Sequence, residues 1–314
     1  MAVARPPDAD RVRRFLCAYW LRPENALWMA LRSAALSAVP FTRPSIDLSC
    51  GDGVFAFLHG GGAFDEAFDV FTAVDRLDRL RDDYVDMFDH VDDAYRPVIV
   101  APPAHTIDVG TDLKPALLEK ARRLALYDRL IRHDNNDPLP FPRGAFQTVY
   151  TNAAYWVRGV DAFLRDMARI VRPNGTVVLH VKLDDMRRYT LQRHRDVLGH
   201  RCLDIIGRGR FDTWPALASR RVWEHRFARA GLTIESVTPF VTRTHAHIWD
   251  IGLRPIAPLL VRMANALTPA TRAAIKRDWV DVVGALLGPF CDPSIDLFDG
   301  TDEPAELQYV LRIG

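Results

Sequence analysis

The chain has 314 residues, of which 48% are hydrophobic, enough to bury one large core or a core with an appendage. Its 41 Lys and Arg nearly cancel its 40 Asp and Glu, which argues against an electrostatic grip on nucleic acid or an anionic membrane and favours a small-molecule partner. No stretch approaches the roughly 20 apolar residues of a spanning helix, no apolar signal core opens the chain, and Cys17, Cys50, Cys202 and Cys291 lack zinc-site spacing, so the reading is cytoplasmic, with no metal and no membrane.

From Ala9 to Val39 apolar residues recur at helical spacing, broken at Arg22-Pro23-Glu24, where Pro suits the first turn of a second helix. Residues 1–44 therefore read as a helical cap. Ser45–Leu48 is a short strand, Ser49-Cys50-Gly51-Asp52-Gly53 a tight turn, and a helix starts near Val54. Residues 60–103, opening on Gly60-Gly61-Gly62 and rich in Asp and Phe (Phe64-Asp65, Phe68-Asp69, Phe88-Asp89), read as an insertion with helical structure. His105–Asp112 is a second strand ending in a carboxylate, and Lys114–Leu126 an amphipathic helix. Arg129–Asp134 is a third strand, followed by a loop punctuated at Pro138, Pro140 and Pro142. Phe146–Thr151 is a fourth, Val160–Val171 a helix, Arg172–Gly175 a turn and Thr176–Val181 a fifth strand. Beyond Leu183 the chain is Arg-rich and mainly helical to Ala230, with a strand at Thr233–Val241, two helices within Pro255–Leu287 and a final strand at Glu306–Ile313. Strands alternating with helices predict a mostly parallel sheet covered on both faces, with residues 45–182 as the core and 183–314 as a helical region plus the last strands of the same domain.

The chemistry sits at strand ends. A Gly-rich turn between the first strand and its helix lets a nucleotide or amino-acid cofactor approach the backbone and presents helix N-terminal N–H groups. Asp112, ending the next strand, is placed to accept hydrogen bonds from ribose hydroxyls, because both carboxylate oxygens are acceptors.

In order and spacing these signals resemble class I S-adenosylmethionine-dependent methyltransferases, the type 11 group in particular. Asp47-Leu48-Ser49-Cys50-Gly51-Asp52-Gly53 resembles the first motif, with Ser49 where the family has Gly, a turn position Ser accepts if its φ stays negative. Val109-Gly110-Thr111-Asp112 resembles the second, whose acidic residue holds the ribose with Leu113 beside the adenine. His133-Asp134-Asn135 before Leu139-Pro140-Phe141-Pro142 resembles the third, and Phe146–Asn152 the fourth strand, with Gln147 in place of Asp. Arg169–Thr176 matches the helix end and Pro-Gly turn before the fifth strand. The resemblance implies an α/β Rossmann-like, mostly parallel seven-stranded sheet with a helical N-terminal cap and C-terminal helical additions. It also implies S-adenosylmethionine as cofactor, bound by Asp47, Ser49, Cys50, Gly51, Gly53, Asp112, Leu113, Asp134, Asn135 and Asn152.

Methyl transfer is an in-line displacement, so positioning and water exclusion dominate and a base is needed only for a hydroxyl acceptor. Tyr155 and Trp156, after the fourth strand, could line the transfer site, where an aromatic face attracts a sulfonium. Tyr19 and Trp20 could cover the same pocket from the cap. His245 and His247, two apart on or beyond a strand, are the base candidates along with Tyr155, since two-residue spacing in an extended strand shares a face. His180, inside the fifth strand, reads as a satisfied core residue. The leading function is methylation of a small-molecule acceptor, a sugar or other biosynthetic metabolite. The alternatives are a cofactor-weak, methyltransferase-like partner subunit, kept open by Ser49 and Gln147, and a nucleotide-dependent Rossmann oxidoreductase, which the missing GxGxxG disfavours. The sequence leaves the oligomeric state open.

Overall fold

The computed structural model describes residues 9–72, 89, 91–207, 211, 213–292, 295–298 and 302–314. Two helices open it, α1 (Ala9–Tyr19) and α2 (Pro23–Leu36). On α1, Val12, Phe15, Leu16 and Tyr19 fall at helical spacing and are all buried, which is why this segment coils and which face it turns inward. The chain turns at Arg22, whose N–H donates to Tyr19 O at 2.8 Å, and Pro23 then starts α2 where its missing N–H costs nothing.

The core is a seven-stranded sheet. Its strands are β1 (Ser45–Leu48), β4 (Ile107–Asp112), β5 (Tyr127–Arg132), β6 (Phe146–Thr151), β7 (Val171–Lys182), β8 (Leu232–Val241) and β9 (Glu306–Ile313), in the order β5-β4-β1-β6-β7-β9-β8. β1 lies at the centre, paired in parallel with β4 (Leu48 opposite Thr111) and β6 (Leu48 opposite Thr151), and all four of its residues are buried. The chain runs β1 to β4 to β5 on one side and resumes at β6 on the other, so the strand order reverses beside β1, where the loops part and leave a crevice. β9 is antiparallel to both β7 and β8, which makes the sheet mostly parallel, as expected. Helices α3 (Val54–His59), α4 (Pro115–Arg122), α5 (Val160–Ile170) and α7 (Arg220–Arg229) connect the strands.

Several boundaries differ from the sequence reading. The third parallel strand, β5, starts two residues earlier than expected and stops at Arg132, so Asp134 and Asn135 stand in the loop beyond it. The turn expected at Arg172–Gly175 is a bulge inside β7, where five steps from Val171 to Thr176 oppose two steps on β6 from Phe146 to Thr148 and Asn174 adopts φ 64°. The segment after Leu183 is less helical than expected: Asp184–Arg187 and Leu191–His194 are single 3-10 turns, and α6 (Arg195–Gly207) is kinked at Gly199. Within 60–103, the described residues form a two-stranded antiparallel ribbon, β2 (Ala63–Phe64) with β3 (Ile99–Ala101), rather than helix. Phe64 and Phe68 pack against each other and on Phe57 and Tyr95, while Phe88 lies outside the described residues.

The C-terminal helices α8 (Arg243–Asp250), α9 (Ala257–Asn265) and α10 (Pro269–Leu287) close over the cap, with α10 against α1. Arg272 of α10 grips buried Asp69 with two bonds at 2.6 and 2.9 Å, and Lys276 donates to Glu66 O and Phe68 O. Among the described residues no helix is long and apolar enough to cross a membrane.

Candidate functional site

The turn after β1 places three positive φ angles in five residues: Ser49 63°, Gly51 61° and Gly53 76°. The two glycines take that conformation without strain, whereas Ser49 costs about 1 kcal/mol there, contrary to the negative φ expected of it. Its hydroxyl recovers part of that by accepting from Asn135 Nδ2 at 2.8 Å. Asp112, ending β4, braces the turn from the side: Oδ2 accepts from Gly51 N at 3.0 Å and Oδ1 from Lys114 N at 2.9 Å. Cys50 N–H donates to Thr111 O at 2.8 Å, a further tie between the turn and the strand end.

Three carboxylates surround this turn, and burial is the main cause raising all three above the usual range. Asp47 is pushed up to about 7, although the Tyr127 hydroxyl donating at 2.8 Å pulls the other way. Asp52 and Asp112 are also raised, each partly offset by hydrogen bonds from backbone N–H groups. Tyr127 also explains Gly110, because a Cβ there would come within 2.8 Å of its ring. Asp52 and Tyr127 are neighbours of the turn that sequence reasoning did not select; the phenol lies on β5, 80 residues from Asp47, and only the sheet order brings them together. Burial holds the Cys50 thiol well above its usual value, so it stays protonated.

The crevice keeps unspent hydrogen-bonding capacity. Asn135 gives its amide to Ser49, but its Oδ1 is buried without a partner, as are Thr111 Oγ1 and His133 Nε2. Such groups cost free energy unless a ligand or water meets them. Asp134, by contrast, spends Oδ1 on its own turn, accepting from Asn136 N at 2.9 Å and Asn136 Nδ2 at 2.8 Å. Leu113 leaves an exposed apolar face beside Asp112.

On the other side of β1, Asn152 follows β6 and donates to Tyr150 OH at 3.4 Å. That phenol meets His180 Nδ1 at 3.2 Å, and His180 Nε2 meets Gln308 Oε1 at 2.8 Å, which makes His180 a satisfied core histidine held neutral by burial. Tyr155 is buried and Trp156 half exposed, their ring centroids 4.9 Å apart. Burial pushes the Tyr155 phenol up to about 12, so at neutral pH it can donate a hydrogen bond but not act as a base.

Behind Tyr155 lies a cluster that sequence reasoning missed. Lys182, ending β7, is buried with its ammonium over the rings of Trp28 at 4.3 Å, Tyr155 at 4.8 Å and Trp214 at 5.1 Å. It pairs with Glu306, the fully buried first residue of β9, which also accepts from Trp28 Nε1 at 3.0 Å and Arg32 at 3.5 Å. Two cations thus share one carboxylate. The available signal was composition: Lys182 is one of four lysines in the chain.

The remaining candidates divide. Tyr19 reaches the Gly-rich turn, its hydroxyl 3.4 Å from Asp52 Oδ2. Trp20 points elsewhere, donating to Asp69 at 2.9 Å beneath Arg272 and against Trp279, so it is core packing and not a pocket cover. His245 and His247 lie on helix α8, not on an extended strand, so two-residue spacing separates their faces. His245 caps that helix, with Thr242 N–H donating to Nδ1 at 3.0 Å, and its Nε2 meets Phe290 O at 2.6 Å, which leaves neither ring nitrogen for a substrate proton. His247 packs on Phe298, and burial lowers its pKa. Among the described residues no group of three or more His, Cys, Asp or Glu side chains converges to hold a metal.

Residues 102–179, from before β4 to near the end of β7, match the model of a family described as a methyltransferase domain. No curated protein matches the chain. Among solved structures, a SAM-dependent methyltransferase from Thermotoga maritima, described as a possible histamine N-methyltransferase, is 10% identical with a TM-score of 0.48, over 93% of this chain and 91% of its own. A chain from the complex of the Haloferax volcanii Trm112 methyltransferase activator with a putative methyltransferase is 14% identical with a TM-score of 0.46, over 99% of each chain. A SAM-dependent methyltransferase from Mesorhizobium loti is 17% identical with a TM-score of 0.44, over 91% and 96%.

Proposed function

We propose that this chain, whose residues 102–179 match a methyltransferase domain, binds S-adenosylmethionine and methylates a small-molecule acceptor in the cytoplasm. The observation that carries the reading is the crevice beside β1, where a turn of positive-φ residues, a braced Asp112 and an unpartnered Asn135 Oδ1 meet at the carboxyl edge of the sheet. The residues fit the cofactor: Asp112 keeps lone pairs for ribose hydroxyls, Leu113 offers an apolar face to adenine, and Asn135 Oδ1 is an acceptor for an amino group. Asp47 and Asp52 supply negative charge beside the turn for a ligand with an ammonium and a sulfonium.

When bound, the cofactor supplies an electrophilic methyl carbon on its sulfonium. Tyr155 and Trp156 flank the next strand end and would exclude water there, and the Tyr155 phenol would hold an acceptor oxygen by donating to it. With Tyr155 protonated and His245 engaged at both nitrogens, positioning and the acceptor's own acidity carry the reaction rather than a protein base.

Calorimetric titration with S-adenosylmethionine, S-adenosylhomocysteine and NAD tests the reading. Saturable binding of the first two is expected. Binding of NAD alone would move the chain to the oxidoreductases, and binding of none would favour a partner-subunit role.

A further inference from the structure

The Arg-rich segment after β7 has no part in the site above, yet it forms one wall of a cavity of about 250 Å³ lined by Arg188, Tyr189, Arg193, Arg243 and Asp302. Arg188, Tyr189 and Arg193 follow β7, Arg243 opens α8 just after β8, and Asp302 precedes β9. Lys182 of β7 and Val241 of β8 both stand opposite Glu306, the first residue of β9, so the three strand ends meet. The cavity therefore lies on the same sheet edge as the Gly-rich turn. β9 is three strands from β1, about 14 Å at the usual spacing between strands.

The lining holds three guanidiniums and the single carboxylate of Asp302, and with Asp185 paired to Arg188 from outside the cavity one positive charge is left unmatched. Asp302 pairs with Arg243 at 2.8 Å and Arg188 pairs outward with Asp185 at 3.0 Å, while Arg193 has no ion-pair partner among the described residues. The Arg243 guanidinium is held between the rings of Phe298 at 4.1 Å and Tyr189 at 5.9 Å, and its Nε is buried with nothing to donate to. One turn along α8, His247 Nε2 is likewise buried and unpartnered. The charges of Arg243 and Arg193 reach this imidazole and add to burial in keeping it neutral. Rigid guanidiniums with unspent donors are suited to an oxyanion that accepts two bonds from one fork.

We infer that this cavity binds a phosphate monoester, carried by the acceptor at the end remote from the methylated atom. A phosphate monoester offers three terminal oxygens to the three guanidiniums, whereas a carboxylate offers two. An anchor on the same sheet edge, three strands along from β1, would let binding at one end of the acceptor orient the other. That the phosphate belongs to an acceptor rests on the methyltransferase reading; binding of the phosphate itself does not.

The test is calorimetric titration of the cofactor-free full chain with inorganic phosphate and glycerol 3-phosphate, with acetate as the carboxylate probe. Both phosphates should saturate, and Arg193→Ala and Arg188→Ala should each weaken them by about tenfold or more. Arg221→Ala, an exposed cation on α7, should leave phosphate affinity unchanged, and all three variants should keep wild-type affinity for S-adenosylmethionine. Absence of saturable phosphate binding, equal weakening by Arg221→Ala, or acetate binding as tight as phosphate would each overturn the assignment. So would retention on phosphatidic acid vesicles without binding of the soluble phosphates. Phosphate binding that survives where S-adenosylmethionine fails to bind would sink the methyltransferase reading and leave the anion site standing.

Discussion

The two halves of the sheet's carboxyl edge carry opposite charge. Over β1 and β4 the ionisable groups are mainly the carboxylates Asp47, Asp52 and Asp112, each raised in pKa by burial, with Lys120 facing Asp52 and Lys114 facing Asp112. Over β7, β9 and β8 they are Lys182 and Arg32 around Glu306, then Arg188, Arg193 and Arg243 around Asp302. The whole chain nets only +1, so its near neutrality hides a polarised edge rather than an even one. Charge balance read over the full sequence says nothing about how charge is sorted between the ends of one crevice. The aromatic seam of Tyr155 and Trp156 follows β6, between the two halves.

Substitutions that move charge in one half alone would break this comparison if both halves responded. The largest effect is expected from Lys182→Met, which leaves Glu306 with Arg32 as its remaining ion pair. We expect a loss of roughly 3–5 kcal/mol in chemical denaturation, with recovery in the double variant Lys182→Met/Glu306→Gln. A single variant as stable as the wild type would mean that the ring box, not the ion pair, sets the local stability. Next, Asp112→Ala removes the acceptor for Gly51 and Lys114 together with the proposed ribose contact. Cofactor affinity should fall about a hundredfold while phosphate affinity stays unchanged.

Asp47 sharpens the acidic half through pH. Its carboxyl titrates at 3.8 in an ordinary environment and at about 7 in the fold, so between those values the folded chain holds a proton the unfolded chain has released. Its contribution is fully present below 3.8 and is lost as pH rises through about 7. Asp47→Asn should therefore be more stable than wild type at pH 8, by a few kcal/mol at most. Affinity for a cationic cofactor runs the other way. It should decline as pH drops below 7 in the wild type, by up to about tenfold per unit, and lose this dependence in Asp47→Asn. The smallest effect is expected at Ser49→Gly, where relief of the left-handed backbone, about 1 kcal/mol, is nearly offset by loss of the Asn135 bond. A melting temperature within a few degrees of wild type, and a clear drop in Asn135→Ala, would bear this out.

The acidic half was the more legible because its signals are local. The Gly-rich turn spans five residues, Asp112 ends its own strand, and the alternation of strands and helices predicted the sheet that brings them together. Even there the φ of Ser49 escaped, because the Asn135 amide that bonds its hydroxyl in that conformation lies 86 residues away. The basic half was nearly illegible. Lys182 and Glu306 are separated by 124 residues and Trp28 and Glu306 by 278, and no spacing rule links such pairs. His245 and His247 were read on or just beyond the strand Thr233–Val241, without the signal that stops extension and starts a helix there. The stop is the capping box that Thr242 forms with His245, a Thr-x-x-His pattern in which the imidazole stands in for the usual Glu or Gln.

The position of β9 has a consequence for how the molecule comes into being. In space it separates β7 from β8, yet in the chain it follows both, and among the described residues β8 has no other strand beside it. As the polypeptide leaves the ribosome, β8 emerges before the strand it pairs with has been made. Lys182, meanwhile, precedes its carboxylate partner Glu306 by more than a hundred residues of synthesis. Half of the edge, β5-β4-β1-β6, can assemble as it is made; the half that carries the cations must wait for its last-made strand, and only then does the crevice have two sides.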